Sequence, residues 1–217
     1  MSLLSVVKNT IWLYCFVLYF SFQSCAQKNK GVEKIVDKDL SKYQTAYFAS
    51  GCFWCVEAIY ETVDGVIEAE SGYAGGKTKN PSYEEVCQGN TGHAETIKVY
   101  YDSTKVSYQQ LVRIFFNSHD PTTRNKQGPD SGTQYRSAIF YQNPTEKKIA
   151  QNYIDSLLTG KHFKAITTEL SLFTSFYKAE NYHQDFKLCN PNHPYIQNVS
   201  NPRLKEFQRK EKYNLKN

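Results

Sequence analysis

The spacing of hydrophobic and polar residues predicts a mixed set of strands and helices from residue 46 onward. Short apolar or alternating runs are typical of strands, and they occur at 46–49, 66–73, 95–101, 137–141 and 165–170. Apolar residues three and four positions apart predict helices, at 52–62, 82–87, 108–118 and from 144 to about 158. The last helix has a clear start, with Asn143 as N-cap, Pro144 at the first helical position and Glu146 at the third. Because the order is irregular and no internal repeat is present, we expect a single α+β domain built as a two-layer sandwich.

The first 25 residues have a different pattern. Residues 11–22 form an apolar run in which only Ser21 is polar, and Lys8 lies before it. The run is too short to span a bilayer as a helix, but it is typical of the hydrophobic part of a secretory signal. Since the small residue Ser24 precedes Cys25 and polar residues follow it, the segment resembles a bacterial lipoprotein signal, whose cysteine becomes the acylated first residue. An ordinary cleaved signal and a short uncleaved anchor are the alternatives.

These patterns predict four segments. Residues 1–24 are the signal peptide, 25–45 a polar linker with a lipid anchor on Cys25, 46–200 the folded domain, and 201–217 a basic C-terminal tail. The protein is therefore expected to be an exported lipoprotein, anchored to a membrane and facing the periplasm or the cell surface.

Composition and charge narrow the class of protein. The chain has 217 residues, of which 40% are hydrophobic and 22% charged, and its formal net charge is +5. These values fit one globular domain and exclude a long disordered chain or a polytopic membrane protein. Acidic residues interrupt the basic tail, which predicts a solvated helix or a frayed end rather than a nucleic-acid-binding surface. The tail residues concerned are Arg203, Lys205, Arg209, Lys210, Lys212 and Lys216, with Glu206 and Glu211 among them.

A pair of cysteines, Cys52 and Cys55, lies where a predicted strand ends and a helix begins. A thiol in the first helical turn is close to unbonded N–H groups and to the positive end of the helix dipole, so its thiolate is favoured. Cys55 follows by one helical turn and is therefore near enough to form a disulfide with Cys52. A structural disulfide and half of a zinc site are the alternatives.

A carboxyl group shares the apolar face of the strand predicted at 95–101. Alternation places Glu95, Ile97 and Val99 on one face, and Thr96 and Lys98 on the other. If the first face is buried, desolvation raises the pKa of Glu95 and makes it a proton donor at neutral pH. A solvent-exposed carboxylate at the sheet edge is the alternative.

A third segment, residues 128–137, combines turn-forming residues with Asp130, Gln134, Tyr135 and Arg136 immediately before a strand. Loops in such positions often carry functional groups. Taken alone, however, this composition also fits an ordinary turn.

Four motifs together resemble the peptide methionine sulfoxide reductase A family. They have the family's order and spacing across about residues 46–190. They are 51–54 (Gly-Cys-Phe-Trp), 81–87 (Pro-Ser-Tyr through Cys), 92–95 (Gly-His-Ala-Glu) and 132–137 (Gly-Thr-Gln-Tyr-Arg-Ser), and 182–184 (Tyr-His-Gln) fits a later family segment. The resemblance implies a sandwich around a mixed sheet, no metal or organic cofactor, and as substrate the S epimer of methionine sulfoxide, free or in proteins.

The resemblance also implies the catalytic roles. Cys52 would attack the sulfoxide sulfur while Glu95 protonates the oxygen, and the hydroxyl groups of Tyr83 and Tyr135 would donate or accept hydrogen bonds there. Cys52 would be left as a sulfenic acid, which a second thiol converts to a disulfide. A thioredoxin-like partner would then reduce that disulfide by thiol exchange.

Substrate contacts are assigned on the same basis. Phe53 and Trp54 would pack on the methyl group of the substrate and keep water away, and Asp130 would shape the site. The partners implied are methionine sulfoxide in peptides and proteins and the thioredoxin-like reductant. We expect the enzyme to be a monomer and to bind no nucleic acid.

The recycling thiol departs from the family pattern. Many members have Gly where Cys55 stands and carry a resolving cysteine in a C-terminal Asn-Pro-x-Gly-Tyr-Cys segment. Here residues 190–195 read Asn-Pro-Asn-His-Pro-Tyr, and no cysteine follows Cys189. We therefore predict that Cys55 resolves Cys52, with Cys189 as an alternative or second shuttle and Cys87 as a buried structural thiol.

Two other classes of protein remain as alternatives. A thioredoxin-like thiol–disulfide oxidoreductase also has Cys-x-x-Cys at a strand–helix junction, but it would leave Glu95, Tyr83 and Tyr135 without a role. A zinc deaminase requires His-x-Glu before Pro-Cys-x-x-Cys, whereas here the order is reversed and the proline is absent.

Overall fold

The computed structural model describes residues 39–211, 215 and 216. The predicted signal peptide and the linker as far as residue 38, including Cys25, lie outside the described residues. Within the described part, no helix has the length and apolar character needed to cross a membrane. From Leu40 onward the described residues form one compact unit.

Strands in the described residues form two sheets. Their bounds are β1 (Gln44–Ser50), β2 (Val66–Ala74), β3 (Ala94–Tyr101), β4 (Lys126–Gln127), β5 (Asp130–Ser131), β6 (Ser137–Tyr141), β7 (Glu169–Leu172) and β8 (Phe176–Lys178). Six of them form one sheet in the order β7-β6-β1-β3-β2-β8, while β4 and β5 pair separately. The β6–β7 pair is parallel, whereas the other four pairs of neighbouring strands in this sheet are antiparallel, so the sheet is mixed.

Three of the six helices in the described residues begin at a side chain that caps them. Their bounds are α1 (Phe53–Glu61), α2 (Tyr83–Cys87), α3 (Tyr108–Asn117), α4 (Pro144–Thr159), α5 (Phe186–Cys189) and α6 (Asn201–Lys210), and a π-helical turn at Ile196–Ser200 precedes α6. Ser82 and Ser107 each begin a capping box. Asn143 accepts a hydrogen bond from the Glu146 N–H at 2.9 Å, which confirms the predicted start of α4.

Both faces of the large sheet are covered. On one face Phe48 of β1 packs against Tyr60 of α1 and Phe115 of α3, with ring centroids 5.3 and 5.5 Å away. On the other face Tyr47, the next residue of β1, stacks on Phe173 at 3.9 Å. Because neighbouring residues of one strand enter two different apolar clusters, β1 is buried on both sides. The α+β sandwich around a mixed sheet is therefore confirmed.

Most predicted elements occur within two residues of their expected bounds, but one strand is displaced. The pattern predicted a strand at 165–170, whereas β7 begins at Glu169. Thr167 donates its N–H to the Pro121 carbonyl at 2.8 Å, and the parallel pairing with β6 starts at the Ala138–Glu169 register. The short elements β4, β5, β8 and α5 were not predicted, since two to four residues do not show a period.

The basic tail packs more closely on the domain than its charge pattern indicates. The tail forms a helix, α6, which was one of the two expected outcomes. Phe207 on that helix is only 1% exposed and belongs to the main core cluster. The Glu211 carboxylate, also buried, accepts hydrogen bonds from Arg113 at 2.8 Å and Asn117 at 3.1 Å. The helix is therefore solvated on one side only.

Candidate active site

A sharp turn places Cys52 between β1 and α1. Gly51 has φ of +88°, and a Cβ at this position would lie 2.6 Å from the Cβ of Gln127, so only glycine fits without a shift. Cys52 is the N-cap of α1 and is 6% exposed. The N–H of Phe53, the first residue of α1, donates to Oε2 of Glu95 at 2.9 Å. The helix start thus holds the thiol and the carboxyl group side by side.

The two thiols of the Cys-x-x-Cys segment are in contact and buried. The Cys55 N–H donates to the Cys52 carbonyl at 3.1 Å, and the Cys52 thiol donates to the Cys55 sulfur. Burial raises the pKa of Cys52, and the neighbouring Cys55 and Glu95 raise it further. The hydrogen bond from Cys52 lowers the pKa of Cys55 to about 6 against the opposing effect of burial, with a contribution from the charge of Arg203. The two thiols are therefore coupled, and the ionisation of one depends on the protonation of the other.

Burial opposes the Cys52 thiolate that the helix start was expected to favour. The expectation relied on the free N–H groups at the start of α1. The first of them, on Phe53, is used by Glu95 instead. Because burial opposes an isolated charge on Cys52, the second thiol stabilises it by sharing a proton.

Glu95 is buried, as the alternation along its strand predicted. Its side chain is 2% exposed, and desolvation raises its pKa to about 8 although the Phe53 N–H opposes the shift. The nearby charges of Asp130 and Cys55 act in the same direction as burial. Glu95 is therefore a protonated acid at neutral pH, next to the reactive thiols, and the exposed-edge alternative is wrong.

Two phenol groups lie near Glu95. Tyr83 begins α2, its N–H donates to Glu180 at 2.9 Å, and its ring centroid lies 6.4 Å from that of Phe53. Tyr135 ends a 3-10 turn and packs against the core cluster that contains Cys52. Burial raises the pKa of both phenols, and the charge of Glu95 adds to the shift. Both remain neutral hydroxyl groups that can donate hydrogen bonds.

The two aromatic residues after Cys52 differ in exposure. Phe53 is 1% exposed, and Trp54 is partly buried. The indole of Trp54 donates to Nδ1 of His183 at 3.0 Å and stacks on Phe186, with centroids 3.6 Å apart and planes 7° apart. The sequence motif thus supplies Trp54, while α5 and the preceding turn fix its orientation.

Asp130 is in contact with Tyr195, a residue to which the sequence assigned no role. The Tyr195 hydroxyl donates to Oδ2 of Asp130, and it lies 3.9 Å from the Cys55 sulfur. Both residues line a cavity of about 510 Å³ together with Arg203, whose guanidinium donates to the Ser50 carbonyl at 2.8 Å. Tyr195 and Arg203 were missed because nothing in their local sequence shows that they approach the thiols. His183 lies in the segment 182–184 that resembles the family, but the sequence assigned it no role.

The remaining two cysteines are exposed. Cys87 was predicted to be buried, and this is wrong: α2 turns Val86 inward, so the next residue faces outward. Its sulfur accepts a hydrogen bond from Tyr83. Cys189 ends α5, which packs on α1. Cys52, Cys55, Glu95, Tyr83, Tyr135, Phe53, Trp54 and Asp130 thus share one region, and Cys55 is the thiol in contact with Cys52.

Comparison with known proteins gives a consistent result. The family described as peptide methionine sulfoxide reductase matches residues 44–216. The reductase named MsrA from Sulfolobus acidocaldarius is 47% identical over 164 residues, which cover 76% of this chain and 93% of the relative. A second, named MsrA 2, from Mesorhizobium japonicum, is 52% identical over 155 residues, which cover 70% and 80%.

Solved structures agree in fold. Methionine sulfoxide reductase A of Corynebacterium diphtheriae superposes with a TM-score of 0.61 at 38% identity, covering 68% of this chain and 75% of that one. Reduced Mxr1 from Saccharomyces cerevisiae gives a TM-score of 0.67 at 34% identity, covering 73% and 92%. These matches favour a reductase over the thioredoxin-like oxidoreductase and the zinc deaminase considered from the sequence. On sequence, fold and the residues gathered around Cys52, the chain belongs to the peptide methionine sulfoxide reductase family.

Proposed function

We propose that this enzyme reduces the S epimer of methionine sulfoxide, free or in proteins, with Cys52 as the nucleophile. The observation that carries the proposal is the contact of three groups at the start of α1. Cys52 and Cys55 are buried and coupled there, and Glu95, whose pKa burial raises to about 8, accepts a hydrogen bond from the adjacent N–H. A nucleophile, an acid and a second thiol in one buried site are what sulfoxide reduction through a sulfenic acid requires.

The first step transfers oxygen from the substrate to Cys52. The Cys52 proton moves to the Cys55 sulfur along their hydrogen bond, and the resulting Cys52 thiolate attacks the sulfoxide sulfur. Glu95 gives its proton to the sulfoxide oxygen, and Tyr83 and Tyr135 donate hydrogen bonds to it. The hydroxyl group then passes from the substrate sulfur to the Cys52 sulfur as the bond between the two sulfurs breaks. Methionine leaves as the thioether, Cys52 is oxidised to a sulfenic acid, and the Glu95 carboxylate regains its proton from water. Phe53 and Trp54 hold the methyl group of the substrate, and Asp130 shapes the site through its bond to Tyr195.

The second step uses Cys55. Its thiol attacks the Cys52 sulfenic sulfur, the two cysteines form a disulfide, and water leaves with the hydroxyl oxygen. The contact between the two side chains in the reduced state supports this pairing, since neither residue has to travel. A thioredoxin-like dithiol then supplies two electrons by exchange and restores both thiols.

Serine variants of the cysteines test this assignment. With purified epimers of methionine sulfoxide, Cys52→Ser should lose activity with any reductant. Cys55→Ser should still turn over with dithiothreitol, which reduces the sulfenic acid directly, but more slowly than the wild type because it lacks the thiol that takes the Cys52 proton. With thioredoxin it should lose most turnover. Cys189→Ser should keep both activities, and Cys87→Ser, the other exposed thiol, is the matched control.

Peptide mapping after one turnover without reductant gives the independent readout. A bridge between Cys52 and Cys55 is expected. A bridge between Cys52 and Cys189 with Cys55 still reduced would sink the assignment of Cys55, and consumption of the R epimer instead of the S epimer would sink the substrate assignment.

We further propose that the enzyme is exported and attached to a membrane through acylated Cys25. The support is the apolar run at 11–22, the small residue before Cys25 and the polar stretch after it. A tether of this kind would keep the catalytic domain at a membrane surface outside the cytoplasm. The proposal includes a monomeric enzyme.

A further inference from the structure

The sulfur of Cys55 is approached by three groups from one short C-terminal segment, residues 195–203. The Tyr195 hydroxyl lies 3.9 Å from the sulfur, and the Ser200 hydroxyl donates a hydrogen bond to it. The guanidinium of Arg203 contributes a positive charge nearby. Ser200 ends the π-helical turn, a rare geometry that is frequent at functional sites, and Arg203 lies in the first turn of α6. A segment far along the chain thus supplies the polar environment of Cys55.

The Ser200 hydroxyl is buried, and the main chain does not use it. Ser200 is 1% exposed, and among the described residues its Oγ has no partner besides the Cys55 sulfur. A serine in a helix commonly bonds to a carbonyl in the preceding turn, and the hydroxyl groups of Ser118 and Ser156 do so here. Because burying a hydroxyl without a partner is costly, the contact with the sulfur is what stabilises Ser200 Oγ in the core.

The contact with Ser200 matters most after Cys52 has reacted. In the reduced enzyme the Cys52 thiol also donates to the Cys55 sulfur, but oxidation to a sulfenic acid removes that thiol. The Tyr195 hydroxyl has a single proton, which it donates to Asp130. Of these three neighbours, Ser200 is therefore the one whose proton remains available to the Cys55 sulfur when the disulfide forms.

We propose that Ser200 is a catalytic residue of the second step, in which it stabilises the Cys55 thiolate that attacks the Cys52 sulfenic acid. The inference rests on the proposed function and adds a group to it. The Ser200 hydroxyl donates to the thiolate, and the sulfur–sulfur bond forms as the sulfur–oxygen bond of the sulfenic acid breaks. Hydroxide leaves and takes up the proton that the Cys55 thiol released, so water is the product. The Cys52 sulfur is reduced and the Cys55 sulfur is oxidised.

The groups around Cys55 determine how its ionisation responds to pH. The hydrogen bond with Cys52 lowers the pKa of Cys55 most, burial opposes the shift, and Arg203 and Ser200 lower the pKa further. Loss of the Ser200 donor should therefore raise the pKa of Cys55. Glu95, with a pKa of about 8, titrates in the same range, and a comparison of the wild type with a Ser200 variant cancels its effect.

Single turnovers of the full chain with the S epimer, in the wild type and in Ser200→Ala, test this role. Rapid quench followed by alkylation and peptide mapping measures methionine and the Cys52–Cys55 disulfide separately, so the delay between them reports the second step. At pH 6 the variant should form the disulfide about 3–10-fold more slowly than the wild type, because a smaller fraction of Cys55 is ionised. At pH 9 the difference should vanish, since Cys55 is then a thiolate in both proteins.

Two further variants separate this role from a structural one. Ser200→Thr keeps the hydroxyl and should restore most of the rate at pH 6, and Ser156→Ala, on the surface of α4, is the matched control and should behave like the wild type. An equal rate in Ser200→Ala and the wild type at pH 6, or an equal deficit at pH 6 and pH 9, would overturn the inference and leave the proposed reaction intact. If the wild type forms methionine but no Cys52–Cys55 disulfide, the resolving role of Cys55 is wrong, and the role of Ser200 with it.

Discussion

At the scale of single residues, the hydrogen bond from the Phe53 N–H places the Glu95 carboxyl group at the start of α1. The start of a helix favours negative charge, and here that position is given to the Glu95 carboxyl group rather than to the Cys52 sulfur. Cys52 instead is coupled to Cys55, the pKa of which is lowered by its hydrogen bond with Cys52. The second thiol consequently has two roles in the proposed reaction. It takes the proton of the nucleophile in the first step and forms the disulfide in the second.

Glu95→Gln is expected to slow sulfoxide reduction by about 10²–10⁴-fold, because the amide cannot supply a proton to the oxygen. The pKa of Glu95 is raised to about 8, so the acid is protonated below that pH and loses its proton above it. The single-turnover rate of the wild type should therefore fall as the pH rises through about 8. In Glu95→Gln this decrease should be absent.

Rapid-quench measurement of methionine formation between pH 6 and pH 9 provides the check. Glu84→Gln, an exposed carboxylate on α2, is the control and should retain the wild-type profile. A variant at position 95 that keeps both the rate and the decrease above pH 8 would contradict the role of Glu95 as the acid.

Much of the site could be predicted at this scale, because its central residues lie in short motifs. Cys52 and Cys55 share one helical turn, and Glu95 follows from alternation along a single strand. The state of charge could not be predicted, since it depends on burial and on which acceptor reaches the Phe53 N–H. The exposure of Cys87 could not be predicted either, because it depends on which side of α2 packs on the core.

At the scale of elements, α1 and α5 act together as the aromatic side of the site. Trp54 comes from α1, while Phe186 of α5 stacks on it and His183, in the turn before α5, accepts its indole N–H. A four-residue helix is too short to be stable by itself, so its position depends on this packing and on its neighbours. The orientation of Trp54 is therefore a property of two elements.

Phe186→Ala should raise the KM for methionine sulfoxide about 3–10-fold with little change in kcat, because it removes the stack that orients Trp54 and leaves the thiols and Glu95 in place. Steady-state kinetics with dithiothreitol measure both constants without the recycling partner. Leu188→Ala on the same helix is the control, since Leu188 is 64% exposed. Equal effects of the two substitutions would indicate a general loosening of α5 and contradict the specific role of Phe186.

On the scale of the whole molecule, the C-terminal segment packs against the strand–helix junction that carries the thiols. Arg203 of α6 donates to the Ser50 carbonyl next to the turn at Gly51 and to the Ser118 carbonyl after α3. Phe207 fills the core from the same helix, and Leu215 pairs with Val63 after α1. Residues that the charge pattern assigned to a solvated tail thus support the strand–helix junction that carries Cys52.

Cys25→Ser tests the proposed anchor. When the gene is expressed in a bacterial host with lipoprotein processing, the wild type should sediment with membranes, because acyl chains bury their carbons in the bilayer. The variant should move to the soluble fraction or keep its unprocessed signal. Mass spectrometry of the N-terminal peptide identifies the acyl group. Cys15→Ser, within the apolar run, is the control and should remain membrane-bound and acylated; an unmodified Cys25 in the wild type would contradict the anchor.

The sequence by itself determined the order of the main strands and helices, the position of the pair Cys52 and Cys55 at a strand–helix junction, and the inward direction of Glu95. Periodicity and capping act within a few residues, so they can be seen in the local pattern. Only the tertiary structure decided that Tyr195 reaches Cys55 across 140 positions and that His183 reaches Trp54 across 129. Contacts over such separations follow from sheet order and from how the last helices pack, and the local pattern of residues does not encode them.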